Sequence, residues 1–282
     1  MISVGDRIRA LRVDHGWSMR ELARRLEVSP GTVCAVENGS TGLSLTRLAQ
    51  FADAFGITPA ELLQPSRIPE SAGPAAAAPQ THWRSFPTLD LDAVTDAAIA
   101  TFVNTGYHGS TMRAIAQRAG MSLAGVYHYY PSKQLILVTI LDLTMDEVEW
   151  RTHGAAADAE DPLRRLRLEV EALALFHTLR ADLAFIGSSE MRSLDEPDRS
   201  RIAARRSAIQ HLIDREIRAA ITEGSAHCPR PLETGRAIVT MCTSLPQWFD
   251  ISGPTSAFDV ATRYSEMALQ MIGAADLRPP AR

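Results

Sequence analysis

A short segment near the middle of the chain gathers side chains that donate hydrogen bonds to anions. Tyr127 and His128 are neighbours, and Lys133 follows as the only lysine of the chain. In a helix, Tyr127 and His128 lie on an outward face and can donate to phosphates, whereas Tyr129 and Tyr130 are predicted to pack inside. Lys133 falls in the first turn of the next helix, where a cation opposes the helix dipole unless a bound phosphate reverses the penalty. The segment therefore predicts phosphate contacts, with a solvated lysine as the alternative for Lys133.

Residues for other kinds of chemistry are not arranged at useful spacing. The sequence contains no HExxH, GxSxG or GxGxxG motif, and its only lysine follows a serine instead of the glycine of a phosphate-binding loop. The cysteines Cys34, Cys228 and Cys242 are scattered and indicate reduced thiols. The histidines show no metal-ligand spacing. We predict no catalytic residue, no metal site and no cofactor, and hence a protein that is not an enzyme.

Length and composition limit the class of protein. The chain has 282 residues, of which 45% are hydrophobic and 22% are charged, enough for about two domains. It has no apolar run of the ~20 residues that span a bilayer, so we expect a cytoplasmic, nucleoid-associated protein without a membrane partner. The formal net charge is -4. Any contact with nucleic acid must therefore come from local surfaces.

Helical spacing of apolar residues at i, i+3 and i+4 recurs along the chain, and no strand pattern of useful length occurs. The fold class is therefore predicted to be all-α. A segment rich in proline and alanine at 65–88 is predicted to be a linker. It separates a five-helix unit at 1–64 from a three-helix unit at 89–140, a helical domain at 141–274 and a disordered tail at 275–282.

Both smaller units contain a helix-turn-helix (HTH) pattern. Ser18 and Ser29 can cap the second and third helices of the first unit, and Thr111 and Ser122 can do so in the second, where Gly120 supplies the turn. Four residue pairs repeat at one constant offset: Ala23 and Ala116, Val28 and Met121, Ser29 and Ser122, and Val33 and Val126. Two copies in one chain favour nucleic-acid binding over a protein-binding role.

Residues 3–63 resemble the lambda-repressor/Cro-like (XRE) domains. The matching residues are Trp17-Ser18-x-x-Glu21-Leu22-Ala23, Val28-Ser29-x-x-Thr32-Val33 and Val36-Glu37-Asn38-Gly39. The DNA contacts that this resemblance implies are Arg20, Ser29, Gly31, Thr32 and Asn38. The outward face of the third helix carries no Arg, Asn or Gln for paired base contacts, so we expect phosphate positioning with weak base recognition. A protein-contact or dimer-stabilising module is the alternative.

Two positions depart from the pattern of that family. Met19 stands where the family usually has glutamine, and Glu27 occupies its glycine-like turn position.

Residues 90–140 resemble the DNA-binding domain of the TetR family. The matching residues are Gly106-Tyr107-x-x-Ser110-Thr111-Met112-x-x-Ile115-Ala116, Ala119-Gly120-Met121-Ser122 and Val126-Tyr127-His128-Tyr129-Tyr130-Pro131-Ser132-Lys133. The DNA contacts that this resemblance implies are Thr111, Ser122, Leu123, Ala124, Tyr127, His128 and Lys133.

The rest of the chain resembles the TetR regulatory domain of KstR-like and fatty-acid-responsive regulators. The signs are Ser189-Glu190-x-Arg192, Arg201-x-x-x-Arg205-Arg206 and Trp248-Phe249-x-x-x-Gly253-Pro254. The resemblance implies a homodimer through the last two helices and a pocket for an acyl-CoA or another hydrophobic small molecule. A long helix at 196–224 carries an apolar stripe wide enough to be central.

The candidate pocket residues are Phe176, Phe185, Arg192, Met241, Trp248 and Phe249. The aromatic residues and Met241 fit a core or a dimer interface equally well. For Arg192 and the arginines after it, ion pairs with nearby acids on a solvated face are the alternative.

The predicted function is a ligand-responsive transcriptional repressor that binds a palindromic double-stranded DNA operator as a homodimer. The alternative is a protein-binding scaffold whose N-terminal HTH unit contacts a partner protein instead of DNA. The sequence leaves open whether the ligand releases DNA or promotes binding, since both signs are physically available.

Overall fold

The computed structural model describes residues 4–15, 17–37, 43–63 and 82–274. Within these ranges the chain is helical and has no β-strand, which confirms the all-α prediction. No helix in them is long and apolar enough to cross a membrane. Asn38, residues 65–81 of the predicted linker and the tail at 275–282 lie outside the described residues.

The described part of residues 4–63 forms five helices, as predicted. They are α1 (Val4–Asp14), α2 (Met19–Arg25), α3 (Pro30–Glu37), α4 (Leu45–Ala54) and α5 (Pro59–Leu63). The Ser18 hydroxyl accepts from the Glu21 N–H at 3.2 Å, and the Ser29 hydroxyl accepts from the Thr32 N–H at 3.1 Å, so both predicted N-caps are confirmed. The side chains that fill the centre of these helices are Ile8, Leu22, Val33, Phe51 and Leu62.

A buried ion pair joins the first helix of this HTH to the third. Arg12 Nε lies 2.7 Å from Glu37 Oε1, and Arg12 Nη2 lies 3.0 Å from Glu37 Oε2. Arg12 also donates to the Trp17 carbonyl at 3.0 Å. Such a two-point guanidinium–carboxylate contact fixes both side chains in one orientation. It therefore holds α1 and the end of α3 together.

The second HTH begins with a broken helix. Its helices are α6 (Ala93–Gly109), α7 (Met112–Arg118), α8 (Leu123–Tyr129) and the start of α9 (Lys133–Ala157). Gly106 interrupts α6 with a φ of 70°. The hydroxyl of Thr111 accepts from the Ala114 N–H at 3.1 Å, and that of Ser122 from the Gly125 N–H at 3.0 Å, so these two caps are confirmed as well. Residues 89–98 and 110–143 form one compact unit with the five N-terminal helices.

The two tyrosines at the end of α8 differ in burial. Tyr130 is fully buried and donates to Asp92 Oδ2 at 2.8 Å, while its hydroxyl also lies 2.8 Å from Thr95 Oγ1. Burial, and then the charge of Asp92, raise the pKa of Tyr130, so its hydroxyl stays protonated. The prediction that Tyr129 packs inside is wrong, because this residue is 48% exposed. The helix ends at Tyr129, and Tyr130 turns away in an extended conformation.

The second compact unit comprises residues 82–88, 99–109 and 144–274. Besides the rest of α9, its helices are α10 (Pro162–Leu179), α11 (Ala181–Ser189), α12 (Asp198–Thr222), α13 (Pro231–Thr243) and α14 (Ala257–Met271). The predicted long helix is α12, which packs against α10 and α13 and buries its apolar stripe at Ile202, Ile209, Ile213 and Ile217. The helix that packs against α11, α12, α13 and α14 is α10, because most of its side chains from 166 to 178 are apolar and buried.

Candidate nucleic-acid interface and effector cavity

Helix α8 presents its outward side chains to solvent. Ala124, Tyr127 and His128 are exposed, Tyr127 by 47%, and Leu123 is partly exposed. The opposite face is anchored by Val126, which is fully buried. The phenol and the imidazole are therefore accessible, and their contact with phosphates stays a prediction.

Four further polar side chains on α7 and α8 are exposed and were not among the predicted DNA contacts. They are Tyr129 on α8 and Arg113, Gln117 and Arg118 on α7. Arg113 and Gln117 are four residues apart and therefore share a helix face. The signal that could have identified them is the group of polar and basic positions that alternates with the buried Met112, Ile115 and Ala116 of α7.

Lys133 has a protein partner in the structure. Its Nζ donates to the Ser110 carbonyl at 2.7 Å. Ser110 directly precedes Thr111, the N-cap of α7, so this bond ties the start of α9 to the start of α7. Ser132 caps α9 by accepting from the Leu135 N–H at 3.1 Å. The arrangement gives Lys133 a positioning role, and its contact with a phosphate stays a prediction.

The residues predicted to contact DNA in the first HTH are less exposed than those on α8. Arg20, Ser29 and Thr32 are partly exposed, and the Ser29 and Thr32 hydroxyls lie 2.9 Å apart. Gly31 is buried against the ring of Tyr130, and a Cβ at Gly31 would lie 2.9 Å from Cε1 of that ring. A contact of these residues with DNA stays a prediction.

A cavity of about 370 Å³ lies at the start of α14. Two of the six predicted pocket residues, Trp248 and Phe249, line it, and their rings meet edge to face with centroids 6.3 Å apart. The other lining residues are Asp250, Gly253, Pro254, Thr255, Val260, Arg263, Tyr264 and Met267. The cavity thus combines aromatic walls with a cation and an acid.

The other four predicted pocket residues do not line this cavity. Phe176 is 1% exposed inside the core on α10. Phe185 and Met241 are partly exposed, and Arg192 is exposed in a single 3-10 turn, Met191–Ser193. Their place in an effector pocket stays a prediction.

Of the arginines that follow Arg192, Arg201 and Arg205 form ion pairs, whereas Arg206 donates to the Gly187 carbonyl at 2.8 Å. Arg201 pairs with Asp198 at 2.9 Å. Arg205 pairs with Asp146 at 2.7 Å and with Glu149 at 2.5 Å, both on α9.

In the described part of the chain, no group of three or more His, Cys, Asp or Glu side chains could hold a metal ion.

Glu190 holds the end of α6 through a set of buried hydrogen bonds, here called the Glu190 latch. Glu190 is 8% exposed, and its Oε1 accepts from the Tyr107 N–H at 3.1 Å. Its Oε2 accepts from Ser193 Oγ at 2.8 Å, and this hydroxyl lies 3.2 Å from His108 Nε2. Burial, and then the charges of Asp195 and Glu190, raise the pKa of Tyr107. The latch anchors the residues that lead directly into the cap of α7.

Comparison with known protein families assigns most of this architecture. Residues 94–140 match the bacterial regulatory proteins of the tetR family, and residues 159–272 match the tetracyclin repressor-like C-terminal domain. The chain belongs to the TetR family. Its members are transcriptional regulators and not enzymes. Residues 8–62 match a separate helix-turn-helix family, so this TetR-family chain also carries an XRE-like HTH ahead of its own.

Relatives of this TetR-family chain include two KstR repressors. The HTH-type transcriptional repressor KstR of Rhodococcus jostii (strain RHA1) is 26% identical over 191 residues, which cover 66% of this chain and 84% of that protein. KstR of Mycolicibacterium smegmatis is 34% identical over 80 residues, 28% of this chain and 39% of that protein. The chain therefore matches less than half of the length of the mycobacterial relative.

Solved TetR structures share the fold. The crystal structure of a tetR-family regulatory protein from Rhodococcus RHA1 is 29% identical, covers 65% of this chain and 97% of that chain, and has a TM-score of 0.62. AibR in complex with isovaleryl coenzyme A and operator DNA is 23% identical, covers 64% of this chain and 97% of that chain, and has a TM-score of 0.58. About a third of this chain thus lies outside the shared fold.

Proposed function

We propose that this TetR-family regulator is a ligand-responsive repressor that binds a palindromic operator as a homodimer. The observation that carries the proposal is the exposed face of α8, where Tyr127 and His128 stand beyond a helix start capped by Ser122. A third HTH helix of this kind enters the major groove with its N-terminal turn. In a two-fold dimer, two copies of α8 about 34–36 Å apart meet successive grooves.

The homodimer is supported by large apolar side chains that are exposed on the last two helices and on the loop between them. The side chains that form it are Leu232, Trp248, Ile251, Phe258, Met267 and Met271, each at least 41% exposed. Exposed large apolar side chains concentrated in one region of a chain favour an interaction site there. A second copy of the chain is the occupant we propose, with α13 and α14 of both protomers packing as a four-helix bundle.

The effector that we propose is an acyl-CoA or another lipid-derived molecule. A cavity of about 370 Å³ falls within the size range of small-molecule sites. Its aromatic walls suit an apolar chain, and Arg263 suits an anionic head group. A protein with this fold, AibR, binds isovaleryl coenzyme A together with operator DNA.

The Glu190 latch is the connection that we propose between effector and operator. A shift at the end of α11 would move Glu190 and, through its bond to the Tyr107 N–H, the residues before the cap of α7. Coupling of this kind is typically worth about 1–3 kcal/mol, or roughly a 5- to 150-fold change in operator affinity.

The test is a fluorescence-anisotropy titration of the DNA upstream of the protein's own gene, with and without a panel of acyl-CoA thioesters and the matching free acids. We expect specific binding that one thioester class changes while the free acids do not. Tight binding that ignores the whole panel would leave the regulator but contradict the acyl-CoA assignment. A complete lack of specific binding would favour the protein-binding scaffold.

A further inference from the structure

The third helix of the N-terminal HTH is covered by the second HTH of the same compact unit. At Gly31 of α3, an added Cβ would lie 2.9 Å from Cε1 of Tyr130 and 3.4 Å from two further ring atoms. The ring has little freedom to move away, because Tyr130 is fully buried and its hydroxyl is held by Asp92 and Thr95. Glycine is therefore the residue that permits this close approach of helix to ring.

A second contact lies further along α3, at Asp142 of α9. This carboxylate is fully buried, and its Oδ1 accepts from Arg9 Nη2 at 3.3 Å. Its Oδ2 accepts from Cys34 Sγ at 3.5 Å. Both donors belong to the N-terminal HTH. Because Arg9 also bonds Glu37 at 3.3 Å, the contact is continuous with the buried pair of Arg12 and Glu37.

The positions of these residues along α3 place both contacts on one face of the helix. Gly31, Cys34 and Ala35 are three and four residues apart, so they form a single stripe, and all three are buried. Val33 and Val36, on the other side, are at most 1% exposed in the core of the N-terminal HTH itself. Helix α3 is thus buried on two sides, whereas α8 is buried on one.

We propose that α3 is a docking helix whose partner is the second HTH of this same chain, with Tyr130 and Asp142 as the docking site. The small residues of α3 pack against the fixed ring of Tyr130. The buried carboxylate of Asp142 accepts hydrogen bonds from the Arg9 guanidinium and the Cys34 thiol. The N-terminal HTH then serves to support the end of α8 at Tyr130 instead of reading a second DNA site. This inference does not depend on the identity of the operator or the effector.

The test uses Cys34 as a reporter in the full-length protein. Its rate of alkylation, resolved by peptide mass spectrometry, measures how often the docked face opens. Gly31→Ala would insert a methyl group against the Tyr130 ring, and Asp142→Ala would remove the acceptor of Arg9 and Cys34. We expect each change to raise the alkylation rate of Cys34 by about tenfold or more.

Matched controls separate docking from general damage. Asp146→Ala changes an acid one turn further along α9 that pairs with Arg205 instead, and Thr46→Ala changes an exposed residue of α4. Both should leave the alkylation rate of Cys34 within about twofold of the wild type.

Two results would overturn the proposal. One is alkylation of Cys34 in the wild type as fast as in denaturant. The other is an Asp142→Ala protein whose Cys34 is as protected as in Asp146→Ala. If Gly31→Ala disrupts the N-terminal HTH as a whole, Asp142→Ala still decides, because Asp142 lies outside the five helices of that HTH.

Discussion

The two HTH units share their backbone signals and differ in what their third helices meet. In both, a serine caps the third helix, through Ser29 in one and Ser122 in the other. The exposed face of α8 carries Tyr127 and His128, whereas the corresponding stripe of α3 consists of small residues packed against protein. Caps therefore fix the geometry of the motif, whereas the size of the side chains and the donors on the third helix decide its partner.

The turns of the two units differ as well. Gly120 adopts a φ of 65° before α8, and Glu27 adopts a φ of 52° before α3. Glycine enters this left-handed region without a steric cost, but another residue pays roughly 1–2 kcal/mol there. The turn of the N-terminal HTH therefore carries a backbone strain that the turn of the second HTH lacks, in a unit that also contains the buried pair of Arg12 and Glu37.

The largest expected effect comes from breaking that pair. Glu37→Ala leaves Arg12 buried without its carboxylate, and removing one partner of a buried pair costs about 3–5 kcal/mol. Hydrogen exchange should become much faster throughout α1–α5. Asp53→Ala, an exposed acid of α4, is the control and should have little effect. A loss of stability below about 1 kcal/mol for Glu37→Ala would contradict the role given to the pair.

Tyr130→Phe should produce the next largest effect. It removes the hydroxyl that donates to Asp92, and hydrogen bonds to charged groups contribute about 1.5–3 kcal/mol. The ring that loses this bond is the one that contacts Gly31. Hydrogen exchange should therefore increase in the N-terminal HTH as well as in the second one. Tyr129→Phe changes the exposed neighbour and should stay within about 0.5 kcal/mol of the wild type. Equal effects of the two changes would argue against the buried network.

A smaller effect is expected at the operator. Tyr127→Phe removes one phosphate donor from α8 and should weaken operator binding by about fivefold to tenfold, equivalent to about 1 kcal/mol. The parallel change on α3, Thr32→Val, should alter operator affinity by less than about twofold, because α3 docks on protein and makes no contact with DNA. Anisotropy titrations at one fixed salt concentration measure both. Similar losses of operator affinity in Tyr127→Phe and Thr32→Val would indicate that α3 contacts DNA as α8 does.

The smallest effect concerns the turns. Glu27→Gly should stabilise the N-terminal HTH by about 1 kcal/mol because it relieves the left-handed strain. Gly120→Ala should destabilise the second HTH by a similar amount, about 1 kcal/mol, for the same reason. Denaturant unfolding, monitored by hydrogen exchange within each HTH, measures the two shifts in the free energy of unfolding. If Glu27→Gly and Gly120→Ala shifted the free energy of unfolding in the same direction, the two turns would not differ in backbone strain.

Local interactions made much of this fold predictable from the sequence. The caps at Ser18, Ser29, Thr111 and Ser122 depend on residues three positions apart, and all four are confirmed. Tyr129 was assigned wrongly because helical periodicity does not reveal where α8 ends and Tyr130 turns away. Fold class and caps are thus local properties, but side-chain direction at a helix end is not.

The site residues that depend on distant contacts could not be predicted in this way. The burial of Gly31 comes from Tyr130, and the latch at Glu190 comes from Tyr107, each a partner far along the chain. Lys133 has a phosphate-binding pattern in the sequence, but its carbonyl partner at Ser110 follows only from the fold that brings the start of α9 to Ser110. Sequence spacing identifies donors, and tertiary structure decides what they bind.

The most direct test of the central claim is hydrogen exchange of the full-length protein with and without the DNA upstream of its gene. We expect amides of α7 and α8 to gain protection when this DNA binds, while α3 is already protected and does not change. A gain of protection at α3 that equals the gain at α8 would show instead that both HTH units meet the DNA.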